Sequence, residues 1–318
     1  MISKEDQIMM ETLYWWGIPT LFRCKNDPDP KNCDIALVGV PHSTGNGTTE
    51  RDQHLGPRAV RNISAMLRRS HLQYGIDPWK RNKIHDLGDV PFPEANDNEK
   101  CIERISSFYD HIEKAEKPVV SIGGDHSITG GIIQGLFKEE KVSLLHIDAH
   151  TDTYKQLDHF LGAKKSAAHW GSYLVEDGLV DSRKSVQIGI RGNPRTLDWL
   201  KPSYDLGYNV ITMADFRKKG IKNAIDECLE ILGDNPIYIT FDLDSLDPSI
   251  APAVSNIEPS FNGFTLEEAK MIIQSVKNKK VIGGDVVCLM PTKDNPNNIT
   301  AMVAASIMFE IISVVACN

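Results

Sequence analysis

Short apolar runs alternate with amphipathic stretches along most of the chain. Val119-Val120-Ser121-Ile122, Val142-Ser143-Leu144-Leu145-His146-Ile147 and Ile237-Tyr238-Ile239-Thr240-Phe241 are compact and rich in Val, Ile and Leu. They read as strands buried on both faces. Ile35–Val40, closed by Pro41, is a further strand, and Ile84–Leu87 a weaker one. The same pattern predicts strands at 185–190, 208–212 and 281–289. Between them it predicts helices at 56–69, 98–113, 128–138, 170–177, 195–206, 221–232, 265–277 and 300–315. Pro57 suits a first helical turn, and Thr265-Leu266-Glu267-Glu268 is a capping start. This βα rhythm predicts an α/β fold, a single domain with a mostly parallel, doubly wound sheet. Residues 1–33 read as an irregular arm with an apolar knot, Tyr14-Trp15-Trp16-Gly17-Ile18-Pro19, and a turn cluster at 26–30. Residues 34–318 form the expected domain.

Composition narrows the classes. The chain has 318 residues, 41% of them apolar, which is enough for one large core. A formal net charge of −8 offers no basic field for nucleic acid and suits a cationic substrate. No apolar run reaches 18 residues, so no membrane span is expected, and the polar N-terminus does not read as a leader. Cys24, Cys33, Cys101, Cys228, Cys288 and Cys317 are scattered without a C-x-x-C pair. That favours reduced thiols over a disulfide framework or a Cys-bound zinc, and a cytoplasmic location.

Three apolar runs end in metal-type ligands: Gly123-Gly124-Asp125-His126-Ser127, Asp148-Ala149-His150-Thr151-Asp152 and Asp242-Leu243-Asp244. His126, Asp148, His150, Asp152, Asp242 and Asp244 offer four carboxylates and two imidazoles. If the chain stays extended, Asp148, His150 and Asp152 share one side, as do Asp242 and Asp244. Strand ends are where sites form in open α/β sheets. Each string has a plainer reading, a solvated turn or a helix N-cap, but three such strand ends together favour a site. Oxygen-rich ligands with some imidazole suit two ions of Mn²⁺, Co²⁺ or Ni²⁺. Four aspartates balance the charge of two divalent ions, which together can activate a water at neutral pH.

These strings, with Val38-Gly39-Val40-Pro41, Leu55-Gly56-Pro57-Arg58, Asp86-Leu87-Gly88-Asp89 and Ser245-Leu246-Asp247-Pro248, resemble the ureohydrolases: arginase, agmatinase and the guanidino-acid hydrolases. Val186-Gln187-Ile188-Gly189-Ile190-Arg191-Gly192 looks most like the agmatinase and guanidino-acid branch. The resemblance implies an arginase-like three-layer αβα domain over 34–318. It implies one ion on His126, Asp148, Asp152 and Asp242, and a second on Asp148, His150, Asp242 and Asp244. Mn²⁺ is the ion implied, and some relatives use Ni²⁺. The implied reaction is hydrolysis of a guanidino C–N bond to urea and an amine. Asp152 and His169 are the implied catalytic residues, His169 as proton shuttle with His159 as the rival. A homo-oligomer, trimer or hexamer, is implied; a mixed oligomer with a paralogue is the alternative.

The sequence departs from that family at substrate-facing positions. Where relatives end the last strand with a glutamate that pairs with the guanidinium, this chain has Cys288. A neutral thiol cannot make that charge-assisted contact. The loop at 251–263 lacks the usual glycines, but Glu258 remains and could hold the cation instead, or be a solvated acid. Trp170 could stack on a planar cation or fill the core. Glu50-Arg51-Asp52-Gln53-His54 could form a recognition rim or a solvated loop. Agmatine and guanidino acids are the default substrates; free guanidine, alkylguanidines or a biguanide such as metformin are the alternative. A non-catalytic subunit is a further alternative, although no ligand is missing.

Overall fold

In a computed structural model, nine parallel strands form one sheet among the described residues, which are 3–47, 50–138, 140–154, 162–194, 196–258 and 262–318. The strands are β1 (Lys25–Asn26), β2 (Ile35–Val40), β3 (Ile84–Asp89), β4 (Val119–Gly123), β5 (Ser143–Ile147), β6 (Val186–Ile190), β7 (Asn209–Thr212), β8 (Ile237–Asp242) and β9 (Val281–Val287). Their order is β1-β3-β2-β4-β9-β8-β5-β6-β7. Ser121 lies opposite Asp285, and Thr240 lies opposite both Asp285 and His146. The carboxyl ends of β4, β9, β8 and β5 therefore lie side by side, near the reversal of strand order.

Alternation along each strand divides the interior into two cores. Ile35, Leu37, Val120, Ile122, Leu145, Ile147, Ile237, Ile239 and Phe241 pack on one face, with the helices Leu266–Ser275 and Ile299–Val315. Ala36, Val38, Val40, Val119, Leu144 and Tyr238 pack on the other, with the helices Asn98–Glu113 and Ile128–Leu136. The result is the expected single sheet between two helical layers. No helix among the described residues is long and apolar enough to cross a membrane.

Three expectations need correction. The arm is not wholly irregular. Ser3 and Asp6 form a capping box that starts the helix Lys4–Glu11. Further on, β1 extends the sheet edge, and Leu21 and Phe22 are buried. The helix expected at 56–69 stops at Ser64, and Arg69 turns back to donate to the carbonyls of Phe22 and Arg23. The helix expected from 195 begins at Lys201, where Pro202 occupies the first turn.

Candidate metal centre

The six expected ligands converge at the strand ends. β4 ends in Gly123-Gly124, and a Cβ on Gly124 would lie 2.3 Å from the His42 carbonyl oxygen. Glycine there lets the chain turn against the neighbouring strand end and deliver His126. Asp125 does not point into the site. Its carboxylate accepts from the backbone and hydroxyl of Ser127 at 3.0 and 2.5 Å, and from Gly45 N–H at 2.9 Å.

After β5 the chain bends rather than staying extended, so the alternation argument for Asp148, His150 and Asp152 does not hold. The bend at Asp148–His150 and a left-handed Asp152, φ 49°, bring these side chains together. Short polar residues tolerate that conformation better than most. Asp242 closes β8, and a 3₁₀ turn at Leu243–Ser245 follows. Arg191 holds that turn from behind, donating to the carbonyls of Asp244, Ser245 and Leu246 at 2.6–3.1 Å.

His126 Nδ1 faces Asp148 Oδ2 at 2.9 Å, Asp152 Oδ2 at 2.9 Å and Asp242 Oδ2 at 3.2 Å. This nitrogen is buried and makes no well-formed hydrogen bond. Its ring is fixed from the other side. Thr240 Oγ1 donates to Asp285 at 2.7 Å and so accepts from His126 Nε2–H at 2.9 Å. His126 therefore turns Nδ1, the nitrogen left for a cation or a proton, towards three carboxylates. His150 repeats the arrangement. Nε2–H donates to Glu258 Oε1 at 2.6 Å, leaving Nδ1 facing Asp148 Oδ1 at 3.4 Å and Asp244 Oδ2 at 3.2 Å.

The electrostatics call for cations. Asp148, Asp152, Asp242 and Asp244 are all buried, and no lysine or arginine among the described residues pairs with any of them. Burying such a cluster uncompensated is costly. Without metal the imidazoles supply the positive charge among the described residues, beside neutral donors such as the Trp170 indole and the backbone N–H groups of Ala149, His150 and Asp244. Burial pushes His126 down, but Asp148, Asp152 and Asp242 outweigh it and hold the imidazole well above its ordinary range. His150 is raised in the same way, against burial, by Asp244, Asp148 and Glu258. Burial and then Asp242 push Asp244 up. Asp148 goes down despite burial, because His126, His146 and His150 all bond to it. Two imidazole lone pairs and four acids pointing inward fit two divalent ions, with Asp148 shared between the two histidines.

A second layer escaped the sequence reading. His146 lies 2.8 Å from Asp148 Oδ2 through Nε2. Gln187 donates to its other nitrogen at 3.3 Å, so His146 donates to Asp148 and is not itself a ligand. Asp285 is fully buried and accepts from Thr129, Tyr238 and Thr240. Burial pushes its carboxyl up, against those hydrogen bonds. Trp170 is fully buried, packs 4.9 Å from both His126 and His146, and donates its indole N–H to Asp152 Oδ2 at 2.9 Å. It sits behind the ligands, in the core alternative.

A cavity of about 100 Å³ opens onto the ligands. Asn46, Gly47, Tyr154, Ala167, Ala168, Ser255, Asn256 and Cys288 form its other walls. Cys288 has a left-handed backbone, φ 71°, and burial, then Asp242 and Asp244, push its thiol well up. Glu258 does not line this cavity; it lies behind His150. His169 is buried, with Nδ1 2.8 Å from Ser166 Oγ, at the start of the helix Trp170–Glu176. Its neighbour Ala168 lines the cavity. His159 lies outside the described residues. The 50–54 loop is tied down. Asp52 accepts from Thr292 N–H at 2.7 Å, Glu50 pairs with Lys293, and buried Gln53 donates to Ser255 at 2.9 Å.

Known proteins share the fold and are similar in sequence over most of the chain. The arginase family model matches residues 33–313. The chain belongs to the arginase family. A guanidinopropionase of Pseudomonas aeruginosa is 33% identical over 302 residues, covering 94% of this chain and 92% of the relative. A mitochondrial guanidino acid hydrolase of Homo sapiens is 36% identical over 298 residues, covering 93% and 82%. Among solved structures, proclavaminate amidino hydrolase from Streptomyces clavuligerus superposes with a TM-score of 0.87 at 28% identity, covering 96% of this chain and 99% of that one.

Proposed function

We propose that this chain is a binuclear metal-dependent hydrolase of guanidino compounds, cleaving a C–N bond to release urea and an amine. One observation carries the reading: the Nδ1 atoms of His126 and His150 between them face four buried aspartates, with the outer nitrogens fixed by Thr240 and Glu258. Relatives named guanidinopropionase and guanidino acid hydrolase support the substrate class. His126, Asp148, Asp152 and Asp242 would hold one ion, and Asp148, His150, Asp242 and Asp244 the other. When bound, such ions lower the pKa of water and polarise the electrophile.

The chain's own residues account for the rest. Asp148 and Asp242 are shared between the two positions, which keeps the ligands together. Trp170 and His146 hold Asp152 and Asp148 in place from behind. An amine leaves poorly as an anion, so a proton must reach it. His169 is the proposed shuttle; Ser166 holds its Nδ1 at 2.8 Å, and its neighbour Ala168 lines the cavity.

Agmatine and guanidino acids are the proposed substrates, Mn²⁺ the proposed ion, with Ni²⁺ the alternative. Six unpaired cysteines, five of them buried, support a cytoplasmic setting. Exposed Ile8, Met9, Tyr14, Trp15 and Ile18 on the arm support a homo-oligomer. The test is urea release from agmatine, guanidinopropionate, guanidinobutyrate, free guanidine and metformin by protein loaded with Mn²⁺ or Ni²⁺. Urea from none of the guanidino compounds with either ion defeats the reading.

A further inference from the structure

We infer that Glu258 is a positioning residue for the metal ligand His150, and that it sets how tightly the second of the two ions is held. The inference rests on the binuclear reading above. It replaces the role that the sequence suggested for this acid, direct pairing with a substrate cation.

Four observations carry it. Glu258 Oε1 lies 2.6 Å from His150 Nε2, a short charge-assisted bond. A carboxylate on Nε2 engages that ring nitrogen and leaves Nδ1 as the one available to a metal ion. Nδ1 faces Asp148 and Asp244. The Glu258 side chain is 14% exposed and does not line the cavity, so it is neither a solvated acid nor a wall that substrate would meet.

The backbone is shaped to admit this carboxylate. A Cβ on Gly192 would lie 2.0 Å from Glu258 Oε2, so a larger residue there would push the carboxylate from its present position. Gly192 also has φ +108°, a conformation other residues rarely adopt. The loop carrying Glu258 is held near both ends. Asp247 N–H donates to the Phe264 carbonyl at 2.9 Å, and Val254 bridges Leu289. The acid is therefore met by a glycine recess at Gly192. Partners that orient a metal-bound histidine in this way typically govern metal affinity by about 10–100-fold. His126 is oriented by other residues, Thr240 and Asp285. Loss of Glu258 should therefore weaken one ion and spare the other.

The experiment titrates metal-free full-length wild type, Glu258→Ala and Glu258→Gln with Mn²⁺ alone and Ni²⁺ alone by calorimetry, with elemental analysis for stoichiometry. Wild type should hold two ions. Glu258→Ala should weaken one of them by about 10–100-fold and leave the other unchanged. Glu258→Gln should recover part of the loss, because its amide oxygen still accepts from Nε2–H. At saturating metal the KM for whichever guanidino substrate the wild type cleaves should not change. Gly192→Ala keeps the acid but displaces it, and should reproduce the selective loss even if Glu258→Ala folds poorly. Two ions bound at wild-type affinity in Glu258→Ala overturn the inference. So does a rise in KM without a change in metal affinity, which makes Glu258 a substrate contact. Selective loss of one ion in a protein that releases urea from no guanidino compound upholds the inference and defeats the functional reading instead.

Discussion

The indole N–H of Trp170 donates to Asp152 Oδ2, 2.9 Å away. The tryptophan is fully buried, and the same ring packs against His126 and His146. Asp152 reaches the site on a left-handed backbone, so its position depends on what holds the carboxylate. Trp170→Phe keeps an aromatic ring there and removes only the donor and some volume. Hydrogen bonds to charged groups are worth about 1.5–3 kcal/mol. The variant should stay folded, lose metal affinity by roughly tenfold or more at the position shared by His126 and Asp152, and lose activity accordingly. Metal titration together with a thermal melt checks this; unchanged affinity removes Trp170 from the site's support.

Asp148 meets His126 through one oxygen and His150 through the other. Asp148→Ala should therefore release both ions, and Asp242→Ala should do the same. Elemental analysis after dialysis should give well under one ion per chain in each variant, with no urea release. Full occupancy in either variant defeats the shared-ligand assignment.

The six candidate ligands that the fold brings together were legible from sequence and their supports were not, for a physical reason. His126, Asp148, His150, Asp152, Asp242 and Asp244 follow apolar runs within a few residues, so local pattern exposes them. His146, Thr240 and Asp285 lie inside strand runs, where a polar residue reads as a mere interruption. The partners of Thr240 are close only across the sheet: His126 lies 114 positions away and Asp285 45. The arm shows the same limit. A two-residue strand, Lys25–Asn26, has no periodicity to read, and Asn26 looked like part of a turn. The sheet itself was legible because its strands, buried on both faces, are almost unbroken apolar runs.

Thr240 joins His126 to Asp285. Thr240→Val is nearly isosteric and removes both the acceptor for His126 Nε2–H and the donor to Asp285. A buried polar group left unsatisfied costs about 1–3 kcal/mol, so the variant should melt earlier. It should also weaken the ion held by His126 by about 10–100-fold and spare the one held by His150. Calorimetric metal titration checks the asymmetry; equal weakening of both ions contradicts it.

Arg61 grips Asp86 with two nitrogens, at 2.8 and 2.9 Å, and Asp86 also accepts from Leu21 N–H and Gly88 N–H. Burial alone would raise the carboxyl; Arg61 and the two backbone donors outweigh it and hold Asp86 below its ordinary value. A depressed folded pKa stabilises the protein above the unfolded value, about 3.9. That stability is lost as pH falls through the folded pKa. Removing one partner of a buried pair typically costs about 3–5 kcal/mol. Asp86→Ala should lower stability by that order at pH 7 and free the arm at Leu21. Its urea-unfolding stability should then fall less steeply below pH 4 than that of the wild type. Parallel pH profiles for the two proteins count against this account.

Cys288 lines the cavity, at the position where the resemblance to the ureohydrolases implies a guanidinium-pairing glutamate. Burial, then Asp242 and Asp244, push its thiol up, and a neutral thiol offers no charge-assisted contact. The walls opposite the metal ligands are then uncharged: Asn46, Ser255, Asn256 and Cys288. A monosubstituted guanidine such as agmatine loses its usual carboxylate partner there, and Glu258, engaged with His150, does not replace it. The wild type should therefore cleave agmatine with a lower kcat/KM than its preferred guanidino substrate. A carboxylate contact is worth about 1.5–3 kcal/mol, so Cys288→Glu should shift preference towards agmatine by about ten- to a hundredfold. Desolvation works against the new acid by raising its pKa, and the gain should grow between pH 7 and 9 as it ionises. Competition between agmatine and the preferred substrate, followed across that pH range, measures the shift. A wild type that already prefers agmatine places the cation on other residues.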